Sequence, residues 1–414
     1  MMHKKIAKAA KENIHGDITL SGSKSISNRV LIIRALCAES FEITNLSDSD
    51  DTTTLARLLD SSAVELDAHH AGTTYRFMTA YLAVSEGDRV LTGSHRMLER
   101  PIGPLVDALR QLGAEIKYTA NEGYPPLHIL GRQLQGGRVQ IDATISSQFL
   151  SALLLIAPTL SQGLTLELQG ELVSRPYLEM TLSIMQYFGV DHEWKDNVIT
   201  VAHQSYVAKP FYVEADWSAA SYYYTIAAFA TSADITLRGL TSDSMQGDAA
   251  IAEIGRKFGV QTEYFSDYVR LRRTDEVAAP TYFEYDFVLC PDIAQTVSVL
   301  CAGTGTQGLY TGLQTLFIKE TDRVAALQSE LQKVGVFLSK LPAKFSKKTG
   351  ATYYMQEGKA AAQEAPTFAT YHDHRMAMAF APLALLFDIE VEDPAVVSKS
   401  YPHFWKDIEA LIGE

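Results

Sequence analysis

One kind of segment recurs six times along this chain, and it limits what the chain can fold into. Each copy opens on small or polar residues, runs through about three turns of mostly apolar residues, and closes on a turn signal. The copies are SKSISNRVLIIRALCAES, HAGTTYRFMTAYLAVSEG, SSQFLSALLLIAPTLSQG, DWSAASYYYTIAAFATS, DIAQTVSVLCAGTG and DHRMAMAFAPLALLFD. Ser, Asp and Gly at the openings are helix-capping residues. Helices apolar nearly all round are buried rather than laid on a wet surface.

A second, more amphipathic helix follows each buried one: DTTTLARLLDSS, PIGPLVDALRQLGAEI, PYLEMTLSIMQYFGVDH, DAAIAEIGRKFGVQTEY, TDRVAALQSELQKVGVFL and SYPHFWKDIEALIGE. Four of these six end in Gly-Ala or Gly-Val, where Gly lets a helix close in the left-handed region. Alternating stretches such as HEWKDNVITVA and QTEYFSDYVRLRR read as hairpin strands. The pattern predicts an α/β chain of six strand–helix–strand–helix–hairpin units, each of about 70 residues. The first unit is shortened: after LARLLDSS it runs through AVELDAHH straight into the next Gly-rich opening, leaving little room for a hairpin. If the units form two domains of three, the buried helices' N-termini could converge on one interdomain cleft. The N–H groups there favour anions.

At 414 residues the chain has room for two or three domains and a core that needs no disulfide or structural metal. With 47% apolar and 21% charged residues it has ordinary globular composition, and its net charge of −13 disfavours nucleic acid and anionic membrane as partners. Cys37, Cys290 and Cys301 are odd in number and form no CxxC pair, so they read as buried thiols in a reducing compartment. The opening MMHKKIAKAAKENIHG has no apolar core or cleavage pattern, and no apolar run reaches about 18 residues. A cytoplasmic protein is expected.

Within this acidic chain, basic and hydroxyl residues gather at or beside the openings. They include Lys24, Ser25, Asn28 and Arg29; Gly72, Thr73 and Arg76; Arg96 and Arg100; Ser146, Ser147 and Gln148; Ser174, Arg175 and Tyr177; Lys319, Glu320, Asp322 and Arg323; Arg375; and Lys399. Arg offers a planar fork that fits carboxylate and phosphate, and Lys a compact point charge. The set suits ligands carrying several phosphate and carboxylate groups. GSKSISNR lacks Walker A spacing, and no GxGxxG follows a strand, so neither a P-loop nor a Rossmann site is supported. Asp292 precedes an apolar helix and would also suit a simple N-cap. His372 and His374 form an H-x-H pair that no Cys/His cluster completes, so no metal site is expected.

In family order, LSGSKSISNRVLIIRALC, HAGTTYRF, RMLERPIGPLVDALRQLGA, SSQFLSALLL, SRPYLEMT, KETDRVAALQSELQKVG and DHRMAMAFAPLAL run from about Gly22 to Pro402. On these motifs the chain resembles the 5-enolpyruvylshikimate-3-phosphate synthase family. The resemblance implies an α/β fold of two similar domains, each an inside-out α/β barrel of three βαβαββ-type units. One domain would span 23–215. The other would combine 1–22 with 216–414, joined to the first by a double-crossover hinge. It implies transfer of the enolpyruvyl group of phosphoenolpyruvate to the 5-hydroxyl of shikimate 3-phosphate, with release of phosphate and no metal or organic cofactor. It also places the protein in the shikimate pathway to chorismate and aromatic amino acids. Domain closure on the anionic ligands is expected, since two ligand-free basic faces repel.

By the same resemblance, Lys24, Ser25, Arg29, Ser146, Ser147, Gln148, Ser174, Tyr177, Asp292 and Lys319 would surround shikimate 3-phosphate. Ser146, Ser147, Ser174 and Lys319 would serve its phosphate, and Ser25 and Arg29 its carboxylate. Lys24, Gly72, Arg100, Gln148, Arg323, Arg375 and Lys399 would hold phosphoenolpyruvate. Asp292 would be the base at the 5-hydroxyl and Glu320 the proton donor and acceptor at C3, with Lys24 beside the reacting phosphate. Two positions depart from the family: His70 and Thr315 each stand where Asn is usual. The nearest alternative is enolpyruvyl transfer to UDP-N-acetylglucosamine, but TGSHRMLER lacks the Cys those enzymes carry before the equivalent of Arg100. A non-catalytic anion-binding homologue is a second alternative, opposed by the presence of Asp292, Glu320 and Lys24. A nucleic-acid end-processing protein of related architecture is a third, opposed by the negative charge. The expected partners are the two small substrates alone, with no nucleic acid or membrane, on a monomer.

Overall fold

The computed structural model describes residues 2–9, 13–144, 146–170, 172–273, 277–348 and 350–413. Gly22–Val213 forms one compact unit, and Met1–Ser21 with Glu214–Glu414 forms the other.

In the Gly22–Val213 unit the helices are α1 (Lys24–Leu36), α2 (Asp50–Leu59), α3 (Gly72–Val84), α4 (His95–Leu98), α5 (Gly103–Gln111), α6 (Ser147–Ile156) and α7 (Arg175–Tyr187). The apolar helices α1, α3 and α6 pack on one another, as the all-round apolar pattern requires. Two four-stranded sheets accompany them. Glu65–Asp67 runs parallel to Gly87–Thr92, which takes the hairpin Glu115–Tyr118/Leu127–Gly131 on its other edge. Gly137–Asp142 runs parallel to Leu164–Gln169, followed by Val198–Val201 and Glu193–Lys195. Leu164, Leu166 and Leu168 are buried and alternate with partly covered or exposed residues, the period-two signature of a strand with one wet face. In the first unit, among the described residues, Ile43–Thr44 pairs with Phe211–Tyr212 in a two-stranded sheet in place of a four-stranded one.

The second compact unit carries α8 (Trp217–Phe229), α9 (Ile251–Lys257), α10 (Ala294–Thr304), α11 (Arg323–Gln332), α12 (His374–Phe380) and α13 (Phe404–Ile412). Here α8 and α12 pack against α10. The N-terminal segment supplies strands to two of its sheets. Asn13–Thr19 runs parallel to Ser232–Arg238, and His3–Ile6 runs antiparallel to Ile389–Glu392. Among the described residues the last sheet has three strands. The third sheet of this unit, Tyr282–Asp286, Gln307–Thr311, Tyr354–Glu357 and Phe337–Lys340, is complete.

Two of the expected helices differ in detail. DHRMAMAFAPLALLFD is α-helical only to Phe380 and continues as a 3-10 turn over Ala381–Leu385, because Pro382 cannot donate to the helical ladder. Pro158 ends α6 in the same way. The glycines closing the amphipathic helices behave as expected: Gly113, Gly189, Gly259 and Gly335 have φ from +76° to +99°. No described helix is long and apolar enough to cross a membrane.

Candidate active site

The expected site residues fall into two groups, one in each compact unit. In Gly22–Val213 they gather at helix N-termini. Lys24 opens α1 and its Nζ lies 3.2 Å from Asp51 Oδ2 on α2. Asp51 in turn accepts at its backbone carbonyl from Thr74 Oγ1 on α3 (2.7 Å), and Gln148 Nε2 on α6 donates to Thr73 Oγ1 (3.0 Å). The openings of α1, α3 and α6 are thus tied together. Neither Ser23 before α1 nor Ala71 before α3 caps its helix with its own side chain.

Two guanidinium groups stand at the opening of α3. A Cβ on Gly72 would lie 2.5 Å from Arg100 Nη1 and 2.9 Å from Arg76 Nη1, so only glycine leaves room for both. Arg100 is buried, and its Nε has no hydrogen-bond partner. A buried Arg N–H without an acceptor is costly unless something else fills that role. An uncapped helix opening and converging cations together suit an anion.

Arg29 is placed differently from Arg100. Its Nε donates to Thr181 Oγ1 (2.7 Å), its Nη1 to the Ser25 carbonyl (2.8 Å), and its Nη2 to Ser151 Oγ (3.0 Å) and the Tyr177 carbonyl (3.2 Å). Burial without a carboxylate partner pushes its pKa down to about 10. These bonds join Arg29 to Ser25 and Tyr177 and lock α1 to α6 and α7. Ser146 caps α6 by accepting from Gln148 N (3.3 Å), and Ser147 follows it, nearly buried. Ser174 precedes α7 with φ +56°, a left-handed conformation strained for a residue with a side chain, and makes no cap bond.

In the other unit the cations are knitted to carboxylates. Arg323, the first residue of α11 and 2% exposed, is the centre. Its Nε donates to Asp373 Oδ2 (2.7 Å), its Nη1 to Asp292 Oδ1 (3.1 Å) and its Nη2 to Glu320 Oε2 (2.9 Å). Glu320 also meets Lys399 Nζ at 2.7 Å. Asp292 faces Lys319 Nζ at 3.4 Å and Arg375 Nη2 at 3.1 Å. The structure therefore brings Asp292, Lys319, Glu320, Arg323, Arg375 and Lys399 together. Asp292 is not a helix cap. It sits in the 3-10 turn Pro291–Ile293, and α10 starts after it without a side-chain cap.

Burial opposes the Asp292 charge, but Arg375, Lys319 and Arg323 outweigh it and hold the carboxyl well below the usual range. For Lys319 burial is the larger influence, and it lowers the ammonium pKa despite Asp292. For Arg323 burial is outweighed by Asp373, Glu320 and Asp292, which hold the guanidinium charged.

Three participants here escaped the sequence reading. Asp373 caps α12 through Arg375 N (2.9 Å) while clamping Arg323. Ser218, on α8, accepts from Arg375 Nη2 (3.3 Å) and donates a very short hydrogen bond to Asp248. Asp248 is buried with its second oxygen unpartnered, and burial and then the Asp292 charge push its carboxyl up to about 7. The motif DHR signalled Asp373, whereas nothing in QGDAA set Asp248 apart from a surface carboxylate. The departures also have places: His70 is exposed just before α3, and the Thr315 hydroxyl is buried without a hydrogen-bond partner. Of the H-x-H pair, His372 is exposed beside Asp393 and His374 is buried beside Asp373.

Repeated four-stranded sheets with helices that open on basic and acidic side chains define a mixed α/β protein whose helix openings suit small anionic ligands. A family model described as EPSP synthase (3-phosphoshikimate 1-carboxyvinyltransferase) matches residues 8–65 and 56–408, and the chain belongs to that family. A Bacteroides fragilis protein named 3-phosphoshikimate 1-carboxyvinyltransferase is 46% identical over 402 residues, 97% of this chain and 96% of that one. An Aliivibrio fischeri protein of the same name is 38% identical over 428 residues, covering 96% of this chain and 97% of its own. The solved EPSP synthase of Acinetobacter baumannii shares the fold, with a TM-score of 0.76 at 21% identity over 99% of this chain and 98% of that one.

Proposed function

We infer that the chain carries out the reaction of its family. It is a 3-phosphoshikimate 1-carboxyvinyltransferase, an enzyme of the shikimate pathway and aromatic amino acid biosynthesis that uses phosphoenolpyruvate. In the finer reading, each compact unit is an inside-out α/β barrel of three repeats, and both residue groups act on one pair of substrates. The observation that carries the assignment is the buried Arg100 guanidinium, with an orphaned Nε, beside the uncapped opening of α3. It suits an anionic ligand, with Lys24, Gly72, Gln148, Arg323, Arg375 and Lys399 completing the set for phosphoenolpyruvate. Ser25, Arg29, Ser146, Ser147, Gln148, Ser174, Tyr177, Asp292 and Lys319, together with Lys24, serve shikimate 3-phosphate. Arg29 has four of its N–H groups on protein oxygens, so it orients Ser25 and Tyr177 and has one N–H left for the ligand carboxylate.

The 5-hydroxyl of shikimate 3-phosphate adds to C2 of phosphoenolpyruvate. Its proton goes to Asp292, and C3 takes a proton from Glu320 to become a methyl group. The tetrahedral adduct then returns a C3 proton to Glu320 and expels phosphate from C2, and the proton held by Asp292 passes to the departing phosphate, leaving the enol ether and both carboxyl groups in their starting state. Three cations around Asp292 make it a weak base in the free protein. Substrate anions on Lys319, Arg323 and Arg375 compete for those cations, and the proton affinity of Asp292 rises as the ligands arrive. Asp292→Asn and Glu320→Gln are each expected to slow turnover by about 100-fold or more. Near-normal turnover in either variant removes that residue from the scheme. Phosphate release with phosphoenolpyruvate and shikimate 3-phosphate, compared with release with UDP-N-acetylglucosamine, tests the acceptor. Release only with the nucleotide sugar would overturn it.

A further inference from the structure

Glu330 lies on α11 seven residues after Arg323, about 10 Å along the helix axis. It is fully buried, and two of its three bonds reach one neighbouring segment. Its Oε2 accepts from Ala369 N (2.9 Å) and from Lys333 Nζ (2.7 Å), and its Oε1 from Tyr371 Oη (2.7 Å). Lys333 Nζ also donates to the Thr367 carbonyl (2.8 Å). Burial and the Glu330 charge push the Tyr371 phenol up to about 12, so it stays a donor.

The gripped segment leads directly into the site. Tyr371 and His372 both have left-handed backbones, φ +53° and +56°, a conformation such residues keep only when held. Asp373 follows, its N–H bonded to the Thr370 carbonyl (2.8 Å), then His374 and Arg375. Asp373 bonds back to Arg323 at the start of α11. One helix thus fixes the 367–375 segment at two points: Glu330 holds its strained approach, and Arg323 holds its catalytic end.

We propose that Glu330, through Tyr371 and the Ala369 N–H, is a positioning residue that sets where Asp373 and Arg375 stand, and so tunes phosphoenolpyruvate binding from a point outside the substrate contacts. The proposal rests on the assignment of Arg375 to phosphoenolpyruvate. Its test pairs Tyr371→Phe, which deletes one hydroxyl from a partly exposed ring, with Glu330→Gln. Arg375→Ala is measured alongside. KM for both substrates, kcat and Tm are read for each. Tyr371→Phe is expected to raise KM for phosphoenolpyruvate about two- to tenfold, the loss of one hydrogen bond, with a smaller change for shikimate 3-phosphate and Tm nearly unchanged. Glu330→Gln is expected to act in the same direction and more strongly. If Arg375→Ala raises that KM while Tyr371→Phe and Glu330→Gln leave it at the wild-type value, or move only Tm or both KM values in parallel, the positioning role is wrong. If Arg375→Ala itself leaves it unchanged, the assignment of Arg375 fails, and this proposal with it.

Discussion

Asp292 and Asp248 show how neighbours set the behaviour of identical side chains. Asp292 is charged among three cations, whereas Asp248, buried nearby, holds its proton up to about pH 7. A raised carboxyl pKa reverses the usual effect of pH on stability. The unfolded chain releases this proton near the ordinary value of about 4, so the Asp248 contribution weakens as pH rises from about 4 to 7 and is level above that. Asp248→Asn removes the proton equilibrium. The gap in Tm between the variant and the unmodified protein should therefore widen in the variant's favour from pH 4 to 7, and a constant gap would refute the raised pKa. Gly72→Ala would place a methyl within 2.5 Å of Arg100 Nη1. The arginine end can shift, so the fold survives, but the anion cradle is displaced. KM for phosphoenolpyruvate should rise roughly tenfold or more, the loss of a charge-assisted hydrogen bond, and an unchanged value would sink the cradle. Lys24, Arg100, Arg323 and Arg375 could be picked out because basic residues at helix openings are unusual in an acidic chain. Asp248 could not, since its importance comes from burial and from Ser218, thirty residues away in sequence.

Helix openings differ in how their first N–H groups are met, and both units hold capped and uncapped ones, such as α6 and α3 in one and α11 and α10 in the other. α1, α3 and α7 begin without side-chain caps, whereas α8, α11 and α12 begin with Asp216, Asp322 and Asp373 as caps. Uncapped N–H groups suit an incoming anion, while Asp-capped openings have theirs already satisfied and contribute side-chain charge instead. Asp322 accepts from Val324 N (3.1 Å) and Ala325 N (3.0 Å). Asp322→Ala should lower stability by about 1 kcal/mol, readable in a denaturant melt, and should perturb turnover because Arg323 is the next residue. A variant as stable as the parent would show that the cap does not matter. Caps were readable from residue type and spacing. The 3-10 continuation after Phe380 was less so, because the apolar pattern runs straight through Pro382 and periodicity alone does not register a missing N–H.

At the scale of the molecule, the repeat was readable because every buried helix advertises itself by composition. The shortened first unit was readable too, as a missing stretch of sequence. The long-range strand pairings were not: Asn13–Thr19 pairs with Ser232–Arg238, and Ile43–Thr44 with Phe211–Tyr212, and pairings over such separations leave no local signal, so only the family resemblance joined 1–22 to 216–414. These partners put Lys24, Arg100 and Gln148 in one compact unit and Asp292, Arg323 and Arg375 in the other. The proposed reaction draws on residues of both groups. The most direct test follows isotope-labelled phosphoenolpyruvate by NMR with shikimate 3-phosphate present. Label is expected in an enol ether at the 5-oxygen of the acceptor, with one phosphate released per ether formed, and both signals should be lost in Arg100→Ala and in Arg323→Ala. Phosphate released without ether formation, or full transfer by either variant, would contradict it.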